Sequence, residues 1–223
     1  MDPETEQKLV EIYKKAFYNT YEDGGGYGFR YHHGVRVMLY CKQFIELEFF
    51  KNEDINKEAL IIGALFHDIG KVRAINGDGE IVYGSDGDRY HEKIGSEIVG
   101  EYIGDYVKDK ETLAHISQII LESGEKTQTT TEARLVKDAD RFDNYGFITA
   151  WRHITGIQYH KNPENVLRLK GFWVDEDFRS KALKYLEQFN YEPIKDLAHK
   201  RFEKLDYLIK EMDREAKGLD ISD

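Results

Sequence analysis

Three short stretches of the chain place metal-type side chains in otherwise apolar surroundings. They are His33 in Tyr31-His32-His33-Gly34-Val35-Arg36-Val37, the doublet His67-Asp68 in Ala64-Leu65-Phe66-His67-Asp68-Ile69-Gly70-Lys71, and Asp140 in Leu135-Val136-Lys137-Asp138-Ala139-Asp140-Arg141-Phe142. Neutral imidazole with carboxylate suits zinc, manganese, iron, cobalt or nickel. Two histidines and two aspartates on an octahedral ion would leave positions open for water and substrate, which a catalytic site needs. Each residue also has a plain structural role open to it. A lone histidine on an apolar face is usually a satisfied core residue, and Asp140 beside Arg141 could simply be an ion pair. Spacing by itself does not make the four meet.

The elements that must position them read as helices. Only Pro3, Pro163 and Pro193 interrupt a chain rich in Glu, Lys, Leu and Ala, so helices dominate the expectation. Apolar residues at helical spacing predict a first helix over about 4–20, through Leu9, Ile12, Tyr13, Ala16 and Phe17. A second runs over about 32–50, with His33, Val37, Tyr40 and Phe44 on one face. A third starts near Asn56 and ends at Gly70, a helix-stop signal. Neighbours on a regular helix point about 100° apart, so His67 and Asp68 can serve one ion only where that helix relaxes at its end. Further helices are expected over about 91–107, 110–123, 131–144, 147–159, 176–189 and 193–217. The Gly-rich stretch 22–28 lacks the Lys-Ser/Thr of a phosphate-binding P-loop and reads as a connector. Residues 80–83 read as a short strand or an ordered loop, and 84–90 as a loop. The expected fold is all-α, a compact multi-helix bundle with little or no strand. No linker or repeat divides the chain, so residues 1–223 are expected to form one domain.

Composition narrows the function. With 32 Lys and Arg against 42 Asp and Glu, the net charge is −10. That sign repels a phosphate backbone and argues against stable nucleic-acid binding. An anionic substrate then needs a metal or a local basic pocket. Aromatic residues at 13% exclude a disordered chain. The single Cys41 excludes an intrachain disulfide and a Cys-rich zinc site, and it fits a reducing compartment. No apolar run approaches the ~18 residues of a membrane span, and the acidic N-terminus carries no apolar signal region. The expected setting is the cytoplasm, away from membranes.

Taken in order, the three stretches resemble the HD-domain superfamily of metal-dependent phosphohydrolases. That family has a His followed by x-x-Arg-Val, then a His-Asp doublet ending a helix, then a distant Asp. Here these are His33-Gly34-Val35-Arg36-Val37, His67-Asp68 and Asp140. The stretch from Leu135 to Gly146, with Thr131-Glu132-Ala133-Arg134 before it, is similar to a bacterial subgroup of uncharacterised HD hydrolases. The resemblance covers roughly residues 30–150, with the helices over about 151–217 expected to pack on that core. It implies His33, His67, Asp68 and Asp140 as ligands of one divalent ion (Mn, Co, Ni, Mg, Zn or Fe). His33 is preferred to His32 because it alone has Arg at the third position after it. Dinuclear members supply further His ligands. His91 could be the first of these, but Glu122 stands near where the next would be, and His115 does not match.

The chemistry implied is hydrolysis of a phosphoester or phosphoanhydride of a nucleotide or another small phosphorylated metabolite. Asp68 would be both ligand and proton acceptor. Lys71 and Arg36 are candidates to offset phosphoryl charge. His91 is a candidate proton donor or phosphate binder, and Glu122 a candidate ligand or base. Trp151, Tyr145, Tyr159, Phe172 and Trp173 could stack on a base or belong to the core. The aromatic helices after Trp151 offer a face on which two copies could pair as a homodimer. Two other classes fit the same residues: a di-iron oxygenase or lyase, and a non-catalytic domain that binds a nucleotide.

Overall fold

The computed structural model describes residues 1–150 and 176–220. They belong to two compact units, Met1–Asp140 and Arg141–Asp223.

The first unit is helical, as expected. It contains α1 (Pro3–Phe17), α2 (Phe29–Phe44), α3 (Lys57–Phe66), a single turn α4 (Asp86–Arg89), α5 (His91–Ile103), α6 (Lys110–Gly124) and all but the last three residues of α7 (Thr131–Asp143). Side-chain caps start several of them. Asp2 accepts from the Thr5 amide at 2.9 Å, Asn56 from that of Ala59 at 3.0 Å, Asp109 from that of Thr112 at 2.8 Å and Thr130 from that of Ala133 at 3.1 Å. The helices share one apolar interior: Leu9, Tyr13 and Phe17 of α1, Val37 and Cys41 of α2, Leu60, Ile62 and Phe66 of α3, and Ile116, Ile119 and Ile120 of α6 are all buried. α3 packs on α2 and α6, and α5 on α6.

Four expectations change in detail: the loop expected over 84–90 contains the helical turn α4 (Asp86–Arg89), and three others follow. The connector over 22–28 is part of a small sheet. β1 (Tyr21–Glu22) pairs antiparallel with β2 (Gly26–Tyr27) and parallel with β3 (Glu80–Ile81). Second, α2 ends at Phe44, and Glu48–Phe50 forms a separate 3-10 turn. Third, α3 ends at Phe66 and not at Gly70. Asp68 leaves helical geometry with φ −100° and ψ 9°, and Ile69–Ala74 continues as a 3-10 helix. Gly70 is needed there for a different reason: a Cβ on it would lie 1.9 Å from the His91 carbonyl oxygen and 2.6 Å from the Gly95 nitrogen. The missing side chain lets α5 lie against the turn that follows the His-Asp doublet.

In the second unit, α8 (Glu176–Leu186) and α9 (Glu192–Ala216) are described. Ala150, Leu205 and Ile209 form a buried cluster. The Tyr145 ring contacts Phe189 and Phe202, and its hydroxyl donates to the Ala182 carbonyl at 3.0 Å. Tyr145 is therefore core in this unit. The other aromatic residues considered for stacking, Trp151, Tyr159, Phe172 and Trp173, lie outside the described residues.

Candidate metal centre

His33 lies on the buried face of α2. Its ring stacks on Phe29, one turn earlier, with centroids 6.0 Å apart and planes at 13°. The next residue, Gly34, lets α2 lie close to α1, since a Cβ there would come within 2.4 Å of the Tyr13 ring. His67 caps α3, and its ring meets that of His33 edge-on at 5.1 Å. Its Nδ1 is 2.8 Å from the Ala64 carbonyl oxygen. A carbonyl only accepts, so Nδ1 carries the proton and Nε2 presents a lone pair.

That Nε2 is buried and has no hydrogen-bond partner. It faces carboxylate oxygens instead, Asp68 Oδ2 at 3.3 Å and Asp140 Oδ1 at 3.9 Å. His33 Nε2 faces the same two oxygens at 3.5 and 3.2 Å. One ligand atom each from His33, His67 and Asp140 lies within 4.8 Å of the others. A buried acceptor facing further acceptors is costly unless a cation lies between them. The donor set fits a divalent ion: two imidazoles and two carboxylates, with one imidazole already fixed in the ligating tautomer by its carbonyl partner.

The two carboxylates differ in their surroundings. Asp140 is the open member, with a side chain 36% exposed. Burial opposes its charge, but the hydrogen bond to His33 is the main influence that holds its pKa down at about 2. Asp68 is enclosed, with a side chain 5% exposed. Burial again works against the charge, and the Arg30 guanidinium overcomes it to hold the carboxyl well below the usual range. Arg30 Nη1 donates to the same Oδ2 that faces the imidazoles. Its Nε and Nη2 donate to Glu22, with Nε 2.8 Å from Oε2. Glu22 also accepts from the Tyr83 hydroxyl.

Asp68 Oδ1 points the other way, to His91 Nε2 at 3.0 Å. His91 opens α5, and its Nδ1 is 2.5 Å from the Asp88 carbonyl oxygen. Glu92 Oε1 lies 3.2 Å from Nε2. Unlike His67, whose Nε2 makes no hydrogen bond, His91 hydrogen-bonds acceptors through both ring nitrogens, which favours the imidazolium. Burial pulls the pKa of His91 down, but the hydrogen bond and charge of Asp68 raise it above the ordinary value of 6.5. A raised folded-state pKa stabilises the fold below the unfolded value and loses that effect as pH rises through the folded value. In chelator-treated protein, the urea midpoint of the wild type should therefore exceed that of His91→Gln most at pH below about 6.5 and converge on it at higher pH. A midpoint difference independent of pH would contradict this.

Lys71 and Glu122 have definite partners. Lys71 is buried, its Nζ 2.7 Å from Asp88 Oδ1 and 5.8 Å from the centre of the Tyr83 ring. Arg36 is half-buried, its guanidinium 5.6 Å from the centre of the Phe29 ring that stacks on His33. Glu122 is buried and accepts from the Thr129 amide at 2.7 Å, the Thr129 hydroxyl at 2.5 Å and Gln118 Nε2 at 2.9 Å. These bonds tie the end of α6 to the approach of α7 and, after the opposing effect of burial, lower the pKa of Glu122. Glu122→Ala should cost about 1–3 kcal/mol of stability in urea titrations, with divalent-ion affinity unchanged. A loss of ion affinity instead would give Glu122 a place at the metal. His32 is exposed among Tyr18 and Tyr31, and His115 faces Glu132 at 3.4 Å.

Sequence reasoning missed Arg30 and Glu22. A signal existed for Arg30, which lies three residues before His33 and so on the same helix face. For Glu22 there was none, because an acidic residue beside four glycines reads as surface loop.

A family model described as HD domain matches residues 30–145, more than half of the chain. Among solved structures, an HD-superfamily hydrolase from Bacillus thuringiensis is 19% identical, with 96% of this chain and 97% of that one covered and a TM-score of 0.63. YpgQ from Bacillus subtilis, solved in complex with ADP, is 18% identical over 97% of this chain and 99% of its own, with a TM-score of 0.62. A predicted HD superfamily hydrolase from an uncultured Thermotogales bacterium is 19% identical, covers 94% and 91%, and has a TM-score of 0.60. No curated protein matches the chain. At these identities the likeness is one of fold.

Proposed function

The chain belongs to the HD domain family, and we propose that it is a metal-dependent phosphohydrolase acting on a nucleotide or another small phosphorylated metabolite. His33, His67, Asp68 and Asp140 are the proposed ligands of one divalent ion. The observation that carries this reading is the buried Nε2 of His67, which lacks a hydrogen-bond partner and faces two carboxylates. The ADP complex of YpgQ supports a nucleotide as substrate.

A divalent ion held by these groups would lower the pKa of a bound water and offset charge on a phosphoryl oxygen. Asp68, kept ionised by Arg30, is the proposed proton acceptor, through the oxygen that faces His91. His91 holds a proton on Nε2 and is the proposed donor to the leaving oxygen, or a cation for a phosphoryl oxygen. Lys71 supplies positive charge from within the fold and would exchange Asp88 for phosphate. Arg36, one turn beyond His33, is the proposed outer contact for an anionic substrate. Glu122 is assigned a structural part, since its acceptors are spent on Gln118 and Thr129.

The test is phosphate release from nucleoside mono-, di- and triphosphates and from small phosphoesters. Chelator-treated protein would be reloaded with Mn, Co, Ni, Mg or Zn. The reading predicts turnover with at least one metal, greatest on a nucleotide. Folded, metal-bearing protein that releases phosphate from none of them would overturn it.

A further inference from the structure

Behind the candidate centre Asp68 belongs to an ionic assembly whose outer member, Glu22, has no part in the proposed reaction. Glu22 comes from β1, Arg30 from the first turn of α2 and Asp68 from the start of the 3-10 helix after α3. Arg30 spans the two carboxylates with separate nitrogens, two for Glu22 and one for Asp68. The side chains of Arg30 and Glu22 are 8% and 0% exposed. Burying a charge this deeply is unfavourable unless a partner balances it. Arg30 contacts the very oxygen of Asp68 that faces His33 and His67. Alone, a guanidinium there would cancel one of the two negative charges that the ligand set offers to a divalent ion.

We infer that Glu22 and Arg30 are a positioning and charge-balancing pair for metal binding. Arg30 fixes the carboxylate plane of Asp68, with Oδ2 toward the imidazoles and Oδ1 toward His91. Glu22 cancels the charge of Arg30, so the ligand set keeps its full net charge of two carboxylates. Tyr83 donates to Glu22 and keeps that carboxylate in place. The inference rests on the proposed metal site and adds to it two residues that would touch neither ion nor substrate.

The test reads Co(II) binding by its visible absorption, on protein shown to be folded by circular dichroism, without any turnover. Partners outside a metal's own ligands are typically worth about 10–100-fold in affinity. Glu22→Gln leaves Arg30 balanced by Asp68 alone and should weaken Co(II) binding by about tenfold or more. Glu22→Gln/Arg30→Met removes both charges and should bind more tightly than Glu22→Gln. Arg30→Lys keeps the charge but loses the fork that reaches both carboxylates, and it too should weaken binding about tenfold. It decides the matter if Glu22→Gln does not fold. Co(II) affinity and spectrum like those of the wild type in Arg30→Lys or Glu22→Gln would overturn the inference while leaving the metal site standing. Wild-type protein that binds no Co(II), with His67→Ala indistinguishable from it, would overturn the metal reading and this inference with it.

Discussion

His67→Ala is expected to weaken divalent-ion binding by more than about a hundredfold. Even groups beyond the ligands are worth about 10–100-fold, and His67 is placed to be a ligand on three counts. Its Nδ1 is committed to the Ala64 carbonyl, its Nε2 has no protein donor, and two carboxylates and a second imidazole surround that nitrogen. His67→Ala also removes the hydrogen bond from Nδ1 to the Ala64 carbonyl, a cost of about 0.5–1.5 kcal/mol, so the metal-free variant should still fold, with a lowered urea midpoint. Isothermal titration with Mn(II), paired with a urea curve, separates the two effects. Affinity retained within about tenfold would mean that the histidine pair is core packing and not a ligand set.

Gly70→Ala is expected to destabilise the fold by roughly 3 kcal/mol or more, at the upper end of overpacking effects. The new methyl would sit 1.9 Å from a backbone oxygen and 2.6 Å from a backbone nitrogen. Neither can rotate away as a side-chain tip could, so the start of α5 must shift. That start carries His91, whose Nε2 is held 3.0 Å from Asp68 Oδ1. One methyl therefore reaches both stability and site. The urea midpoint gives the first effect. The second would appear as loss of the pH-dependent midpoint difference expected between wild type and His91→Gln, when that substitution is made in the Gly70→Ala background. A change under about 1 kcal/mol would show that α5 does not depend on this contact.

The same glycine marks where reading the sequence works and where it stops. Gly70 reads as the stop of the third helix, but α3 ends four residues earlier, at Phe66, and the φ of Gly70 is not what requires a glycine there. The requirement comes from α5, which begins at His91, 21 residues later in the chain, and no local rule reveals it. The helices themselves were readable because their apolar positions recur at helical spacing and Asn56, Asp109 and Thr130 supply caps. β1 and β2 were not, since two-residue strands carry no periodicity. In the site, His33, His67, Asp68 and Asp140 stood out by side-chain type and order. Glu22 and Arg30 did not, because Arg30 reaches Asp68 across 38 residues of sequence and Glu22 is tied to the site only through Arg30.

The central claim is that these four residues hold an ion on which phosphate release depends. The most direct measurement compares wild type with the His67→Ala/Asp68→Ala variant. Both are stripped by chelator, reloaded with Mn(II), assayed for retained metal, and then for phosphate release from the best nucleotide. The account predicts about one ion per chain and turnover in the wild type, with neither in the folded variant. Equal metal retention or equal turnover in the two proteins would contradict it.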